Sequence, residues 1–147
     1  MEISQQVGHT VLLVEDNATD VFVIKKVLAD CGPGLDVRVA RDGQDALRYI
    51  RALATDPSAA CPALVLLDLN IPKITGQEIL RELRSGSRCN LIPVIIVTSS
   101  GAEADRAAAK LLRADGYFKK PNSIAAYKEL GELVRNVLDK VKHGPDS

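Results

Sequence analysis

Three runs of aliphatic residues punctuate the chain, and each stops abruptly at polar side chains. Val11-Leu12-Leu13-Val14 ends at Glu15-Asp16, Leu64-Val65-Leu66-Leu67 ends at Asp68, and Val94-Ile95-Ile96-Val97 ends at Thr98-Ser99-Ser100. Short apolar runs without alternation fit strands buried on both faces. Two weaker strands accompany them. Asp36-Val37-Arg38-Val39-Ala40 alternates polar and apolar, as an edge strand should, and Gly116-Tyr117-Phe118-Lys119 reads as a short last strand before Lys120-Pro121.

Between the strands the apolar period becomes helical. Val21, Ile24, Val27 and Leu28 follow the helix-start residues Asn17, Thr19 and Asp20 and run to Gly32-Pro33-Gly34. Ala46, Leu47, Ile50 and Leu53 follow Asp42-Gly43, and Ile79, Leu80 and Leu83 follow Gly76 and fade at Ser85-Gly86. An Ala-rich helix with Leu111 and Leu112 is predicted from Glu103 to Ala114. A final one, capped by Ser123, carries Ile124, Tyr127, Leu130, Val134, Val137, Leu138 and Val141 and ends at His143-Gly144-Pro145. Five strands alternating with five helices predict an α/β fold, a single doubly wound, five-stranded parallel sheet joined by right-handed crossovers. The predicted domain covers residues 10–143, between loose tails at 1–9 and 144–147. The connection from Thr55 to Pro62, with turn chemistry at Asp56-Pro57-Ser58, is long for such a fold and reads as a candidate partner surface.

Composition narrows the function classes. A chain of 147 residues with 46% hydrophobic content supports one core. Nineteen basic residues balance 19 acidic ones, so there is no general electrostatic case for nucleic acid or an anionic membrane as partner. Neither a signal-peptide pattern nor a run of ~18 apolar residues is present. Cys31, Cys61 and Cys89 are odd in number, widely spaced and not in a metal-like pair; they read as small buried or incidental thiols of a reducing cytoplasm. Asp16-Asn17, not glycines, follows the first strand, which removes the main support for dinucleotide or Walker-type phosphate binding.

In a parallel sheet the polar strand ends gather on one edge, here Glu15, Asp16, Asp68, Thr98 and Lys120. Three carboxylates in one place repel one another unless a cation joins them, and an all-oxygen site with few protein ligands suits Mg²⁺. Lys120 adds a compact positive charge and Thr98 a hydroxyl donor, so the set would neutralise a phosphoryl group being transferred to Asp68. Each residue alone has a plainer reading. By residue type Asp68 reads as a loop cap, Glu15 and Asp16 as helix caps, Lys120 as a surface charge, and Thr98 as an ordinary strand-end hydroxyl. Their coincidence at four strand ends favours a site.

These residues resemble the response-regulator receiver domain of two-component signalling. The resemblance is carried by Leu13-Val14-Glu15-Asp16-Asn17, Asp42-Gly43, Leu67-Asp68-Leu69-Asn70-Ile71-Pro72, Gly76, Val97-Thr98-Ser99 and Gly116-Tyr117-Phe118-Lys119-Lys120-Pro121. It implies a flavodoxin-like strand order 2-1-3-4-5 and a phosphoryl group accepted by Asp68 from a kinase phosphohistidine. It also implies Mg²⁺ on Asp16, Asp68 and the backbone carbonyl of Asn70, with Glu15 acting through water. Thr98 and Lys120 would bind the phosphoryl oxygens, the Lys120-Pro121 bond would be cis, and Tyr117 would be a switch aromatic that turns inward as Thr98 moves. Tyr117 also fits a half-buried edge-strand residue. Departures from the family pattern are Glu15 for the commoner Asp, Ser99 where Ala or Gly is frequent, and Asn122 where an aromatic often stands.

Beyond Lys120-Pro121 the chain suffices for one helix and a tail, so a stand-alone, chemotaxis-regulator-like receiver is expected. Its chemistry would be self-phosphorylation and autodephosphorylation, not enzymatic turnover. The expected partners are a sensor histidine kinase and a downstream or phosphotransfer protein. A second copy is a further candidate, docked through the terminal helix, where Leu133 lies off the main stripe; burial against the sheet is the competing reading. The loop before Pro62 and the run Leu69-Asn70-Ile71-Pro72-Lys73 look like the small receivers that partner phytochrome-type histidine kinases. The alternative is a Mg²⁺-dependent phosphohydrolase with an Asp nucleophile, which needs a second Asp two residues on, where this chain has Asn70, and a substrate-enclosing cap. A degenerate receiver that binds partners without phosphate is the third reading, and the complete set Asp16, Asp68, Thr98 and Lys120 argues against it.

Overall fold

The computed structural model describes residues 9–32, 34–86 and 88–143. The expected tails, apart from His9, and the side chain of Val141 lie outside the described residues. The strands are β1 (Thr10–Val14), β2 (Asp36–Ala40), β3 (Leu64–Leu67), β4 (Val94–Thr98) and β5 (Gly116–Lys119). The helices are α1 (Ala18–Ala29), α2 (Gly43–Thr55), α3 (Gly76–Ser85), α4 (Glu103–Leu111) and α5 (Lys128–His143). All strand pairs are parallel, in the order β2-β1-β3-β4-β5. This is the doubly wound, five-stranded sheet that the alternation of patterns predicts.

The aliphatic runs show why the sheet is buried on both sides. Along β1, β3 and β4 alternate side chains point to opposite faces. Leu12, Val14, Val65, Leu67, Val94 and Ile96 pack with Ala46, Leu47 and Ile50 of α2 and Ile79, Leu80 and Leu83 of α3. Val11, Leu13, Leu64, Leu66, Ile95 and Val97 pack with Val21, Ile24 and Leu28 of α1 and Leu130, Val134 and Val137 of α5. Two cores therefore flank one sheet. Each fully buried Leu, Ile or Val stabilises this arrangement by about 1.5–3 kcal/mol relative to exposure. At the two edges the pattern weakens: β2 alternates exposed Asp36 and Arg38 with half-buried Val37 and Val39 before a buried Ala40, and Tyr117 of β5 is also half-buried.

Local signals start the helices where expected. Asn17 accepts from Asp20 N at 2.9 Å and Asp42 from Asp45 N at 2.8 Å, and Thr75 with Glu78 completes a capping box at α3. Two boundaries differ from the sequence pattern. The Ala-rich helix ends at Leu111, three residues before Ala114, because Arg113 adopts φ 63° and breaks the ladder, leaving Leu111 84% exposed. The last helix is entered through a 3₁₀ turn, Ile124–Tyr127, which throws Ile124 into solvent while Tyr127 stays buried. Leu133 packs against the α1–α5 core, so this off-stripe residue has a partner within the chain.

Two further expectations are corrected. No peptide bond among the described residues is cis, so the Lys120-Pro121 bond is trans; Lys120 N continues the β5 ladder onto Thr98 O at 2.8 Å, and trans is the intrinsically favoured isomer. Cys61 and Cys89 are not incidental thiols but form a disulfide across Cα atoms 5.6 Å apart. Sequence spacing hid this pair because the loops before β3 and β4 converge only when the strands lie side by side. Arg88 reinforces the junction by donating to the carbonyls of Leu53, Pro57 and Ala59, so the long Thr55–Pro62 connection is fastened rather than free. Cys31 alone keeps a free thiol, which donates to Val27 O and Gly131 O. The cysteine argument for a reducing compartment therefore loses two of its three residues.

Candidate functional site

The parallel register brings the predicted strand ends together at one rim. Asp68 N bonds Val14 O at 3.1 Å and Glu15 N bonds Ala40 O at 2.9 Å, so the residues just beyond β1 and β3 stay in the ladder and their side chains emerge side by side. Oxygens of Glu15, Asp16 and Asp68 lie within 4.8 Å of one another. Glu15 and Asp68 are buried, at 1% and 5% exposure, while Asp16 is exposed. Gly76, the first residue of α3, is pressed on this rim: a Cβ there would sit 2.5 Å from Asp68 O and 2.7 Å from Leu69 Cα. Gly43 is equally confined, with a Cβ 2.5 Å from that of Ile74.

Lys120 enters the same space from the end of β5. Its ammonium lies 2.8 Å from Glu15 Oε1, 2.9 Å from Asp68 Oδ2 and 2.7 Å from Asp20 Oδ2. The contacts to Asp20 and Asp68 are directed hydrogen bonds; Glu15 Oε1 is close enough for ion pairing yet meets no hydrogen-bond geometry and has no other partner among the described residues. Glu15 Oε2 accepts from Asn17 N at 3.1 Å. Burial, aided by the Asp68 charge and opposed by Lys120, pushes the Glu15 carboxyl up to about 7. Burial acts to lower the Lys120 ammonium, but its bonds to Asp20, Glu15 and Asp68 outweigh that and raise it above the ordinary lysine value.

Asp68 combines the two roles its position allowed. Oδ1 accepts from Asn70 N at 3.1 Å, a local turn bond, while Oδ2 faces Lys120. Asn70 itself is exposed. Thr98 is fully buried, and its hydroxyl accepts from Ser100 N at 3.4 Å. Tyr117 donates its hydroxyl to Ser100 O at 2.8 Å, and the Arg106 guanidinium lies 4.4 Å from its ring centre. Ser100 Oγ in turn bonds Asp105 Oδ2 at 2.5 Å, and Gln77 reaches Asp105 Oδ1 at 3.1 Å. Thr98 and Tyr117 thus border one hydrogen-bonded loop between β4 and α4.

Sequence reasoning placed Glu15, Asp16, Asp68, Thr98 and Lys120 on one rim; the structure brings Glu15, Asp16, Asp68 and Lys120 together and ends β4 at Thr98 on the same edge. It missed Asp20 as a partner of Lys120 and Ser100, Asp105 and Gln77 as the loop network. Asp20 stands in the first turn of α1, where residue type alone reads as helix-start chemistry, so nothing in the sequence pattern pointed it at Lys120. The donor set also passes a test for a hard cation. Three carboxylates converge, and the buried Glu15 Oε1 is met among the described residues only by the Lys120 ammonium, at 2.8 Å and off hydrogen-bond geometry.

A family model for the response regulator receiver domain matches residues 11–130. Among curated proteins, response regulator Rcp1 of Synechocystis sp. is 31% identical over 127 residues, covering 86% of this chain and 84% of its own. The phosphorylated cyanobacterial phytochrome response regulator RcpA is similar in structure, with a TM-score of 0.73 and 32% identity over 89% of this chain and 91% of its own. The Mn²⁺-bound form of Rcp1 gives a TM-score of 0.72 and 30% identity, covering 87% and 90%. No helix among the described residues is long and apolar enough to cross a membrane.

Proposed function

Because this chain belongs to the response-regulator receiver family of two-component signalling, we propose that Asp68 is its phosphoacceptor and that a sensor histidine kinase is the donor. A carboxylate oxygen of Asp68 attacks the phosphorus of the kinase phosphohistidine, the P–N bond breaks with its electron pair remaining on the imidazole, and an aspartyl phosphate forms. Lys120, already hydrogen-bonded to Asp68 Oδ2 at 2.9 Å, stands ready to neutralise the incoming phosphoryl oxygens. The Thr98 hydroxyl accepts from Ser100 N, which leaves its proton for a phosphoryl oxygen. Mg²⁺ held by Asp16, Asp68 and the Asn70 carbonyl, with Glu15 acting through water, would supply further charge neutralisation. The observation that carries this reading is the convergence of three carboxylates and one ammonium at Asp68.

The output would be a changed surface rather than turnover of a substrate. A Thr98 drawn toward the phosphoryl group pulls on Ser100, whose carbonyl holds Tyr117, so the β4–α4 loop and the Tyr117 ring would respond together. That surface would serve a downstream or phosphotransfer protein in the cytoplasm. The phytochrome-related name of RcpA favours a phytochrome-type kinase as donor. Acetyl phosphate with Mg²⁺, or a phosphorylated kinase, is expected to label the wild-type protein and leave Asp68→Asn unlabelled while circular dichroism stays unchanged. Label retained by Asp68→Asn would refute the assignment, and steady turnover of a simple phosphate ester would favour a phosphohydrolase.

A further inference from the structure

Lys120 is held by more acids than phosphoryl transfer at Asp68 needs. Its side chain is 9% exposed and bonds Asp20 at 2.7 Å, a contact shorter than those to Glu15 and Asp68. An ammonium has three protons to donate. In this site two are aimed with hydrogen-bond geometry, one at Asp68 and one at Asp20. Glu15 and Asp68 both belong to the carboxylate trio able to hold a cation, whereas Asp20 does not. When a cation and a phosphoryl group draw on Glu15 and Asp68, two of the three lysine contacts change. The Asp20 contact is the one left undisturbed.

Asp20 is also held where a fixed anchor must be. It lies in the first turn of α1, its backbone N–H is tied to the Asn17 side chain at 2.9 Å, and the helix N-terminus favours a negative charge there. α1 in turn is packed into the core through Val21, Ile24 and Leu28. The acid is therefore fixed to a rigid element rather than to a loop.

We propose that Asp20 is a positioning residue for phosphoryl transfer, its carboxylate holding the Lys120 ammonium at the edge of Asp68 independently of the acids that bind the cation. Lys120 pivots on the Asp20 bond as it moves from the Asp68 carboxylate to a phosphoryl oxygen. This role rests on the receiver reading of Asp68, and the controls separate the two.

The test compares wild type, Asp20→Ala, Asp20→Asn and Asp68→Asn, each checked for folding by circular dichroism. Three quantities are measured: the initial rate of labelling by acetyl phosphate, the Mg²⁺ affinity by calorimetry, and the reductive methylation of Lys120 in metal-free protein, read by mass spectrometry. Asp20→Ala is expected to label roughly tenfold more slowly, as displacement of a catalytic group by about an ångström can do. Its Mg²⁺ affinity should stay near that of wild type, and Lys120 should become more reactive. A labelling rate equal to or above that of wild type overturns the proposal, as does a fall that merely tracks lost Mg²⁺ affinity or an unchanged Lys120 reactivity. If Asp20→Ala does not fold, Asp20→Asn, which keeps an acceptor and loses only the charge, carries the same criteria with a smaller slowing. Wild type that takes no label overturns the receiver reading itself, and this proposal with it.

Discussion

Glu15 is the residue whose surroundings conflict most with its charge. A buried carboxyl raised from 4.5 to about 7 binds a proton in the folded chain over a pH range where the unfolded chain has released it. Its contribution to stability is therefore present below about 4.5 and is lost as pH rises through about 7. A divalent cation bound here would need the deprotonated form, so proton and metal would compete for the carboxyl. The apparent Mg²⁺ affinity is expected to climb with pH up to about 7 and then level off, and Glu15→Gln should flatten that profile. Calorimetric titrations between about pH 5.5 and 8.5 measure this directly; a profile as steep in Glu15→Gln as in wild type would assign the proton elsewhere. The strand-end position of Glu15 could be read from the sequence. The off-line contact of its Oε1 with the ammonium could not, because that depends on the angle at which Lys120 arrives.

Among the elements, α3 acts on the site through its backbone. Gly76 opens the helix against Asp68 O and Leu69 Cα, at distances no Cβ tolerates, and the Thr75–Glu78 capping box fixes where the helix begins. The contact is backbone to backbone, so no side chain can yield. Gly76→Ala is thus expected to destabilise the fold by about 1–3 kcal/mol, the usual scale of overpacking, and to slow labelling at Asp68 by moving its carbonyl. Urea unfolding and acetyl phosphate labelling check the two effects; an unchanged midpoint would mean the loop after Asp68 gives way freely. Gly76 was visible in the sequence as the residue preceding a helix and as part of a family resemblance, and the structure supplies the reason for a glycine there. Strands were the easiest elements to read, because β1, β3 and β4 are buried on both faces and their runs are uninterrupted. The end of α4 was not legible: Leu111 and Leu112 before Arg113 and Ala114 after it carry the apolar pattern across the residue that turns left-handed.

For the whole molecule, the two ends of the sheet divide the labour. Asp68, Thr98 and Lys120 lie at the C-terminal ends of their strands, whereas the Cys61–Cys89 disulfide and the Arg88 clamp lie before β3 and β4, at the opposite edge. The disulfide closes a loop with a sequence separation of 28 that contains β3, Asp68 and α3. On the chain-entropy account, closing a loop of that size restricts the unfolded state by roughly 3.5 kcal/mol. Cys61→Ser with Cys89→Ser should accordingly melt roughly 10 °C below wild type. Since the packed sheet separates the bond from the carboxylates, labelling at Asp68 below the melting range should be unchanged. Reductant should lower wild type to the melting point of the double variant and leave the variant alone. A wild type indifferent to reductant would show that the two loops are held by Arg88 and packing rather than by the sulfur bridge, and slower labelling in the folded double variant would show that the two ends of the sheet are coupled.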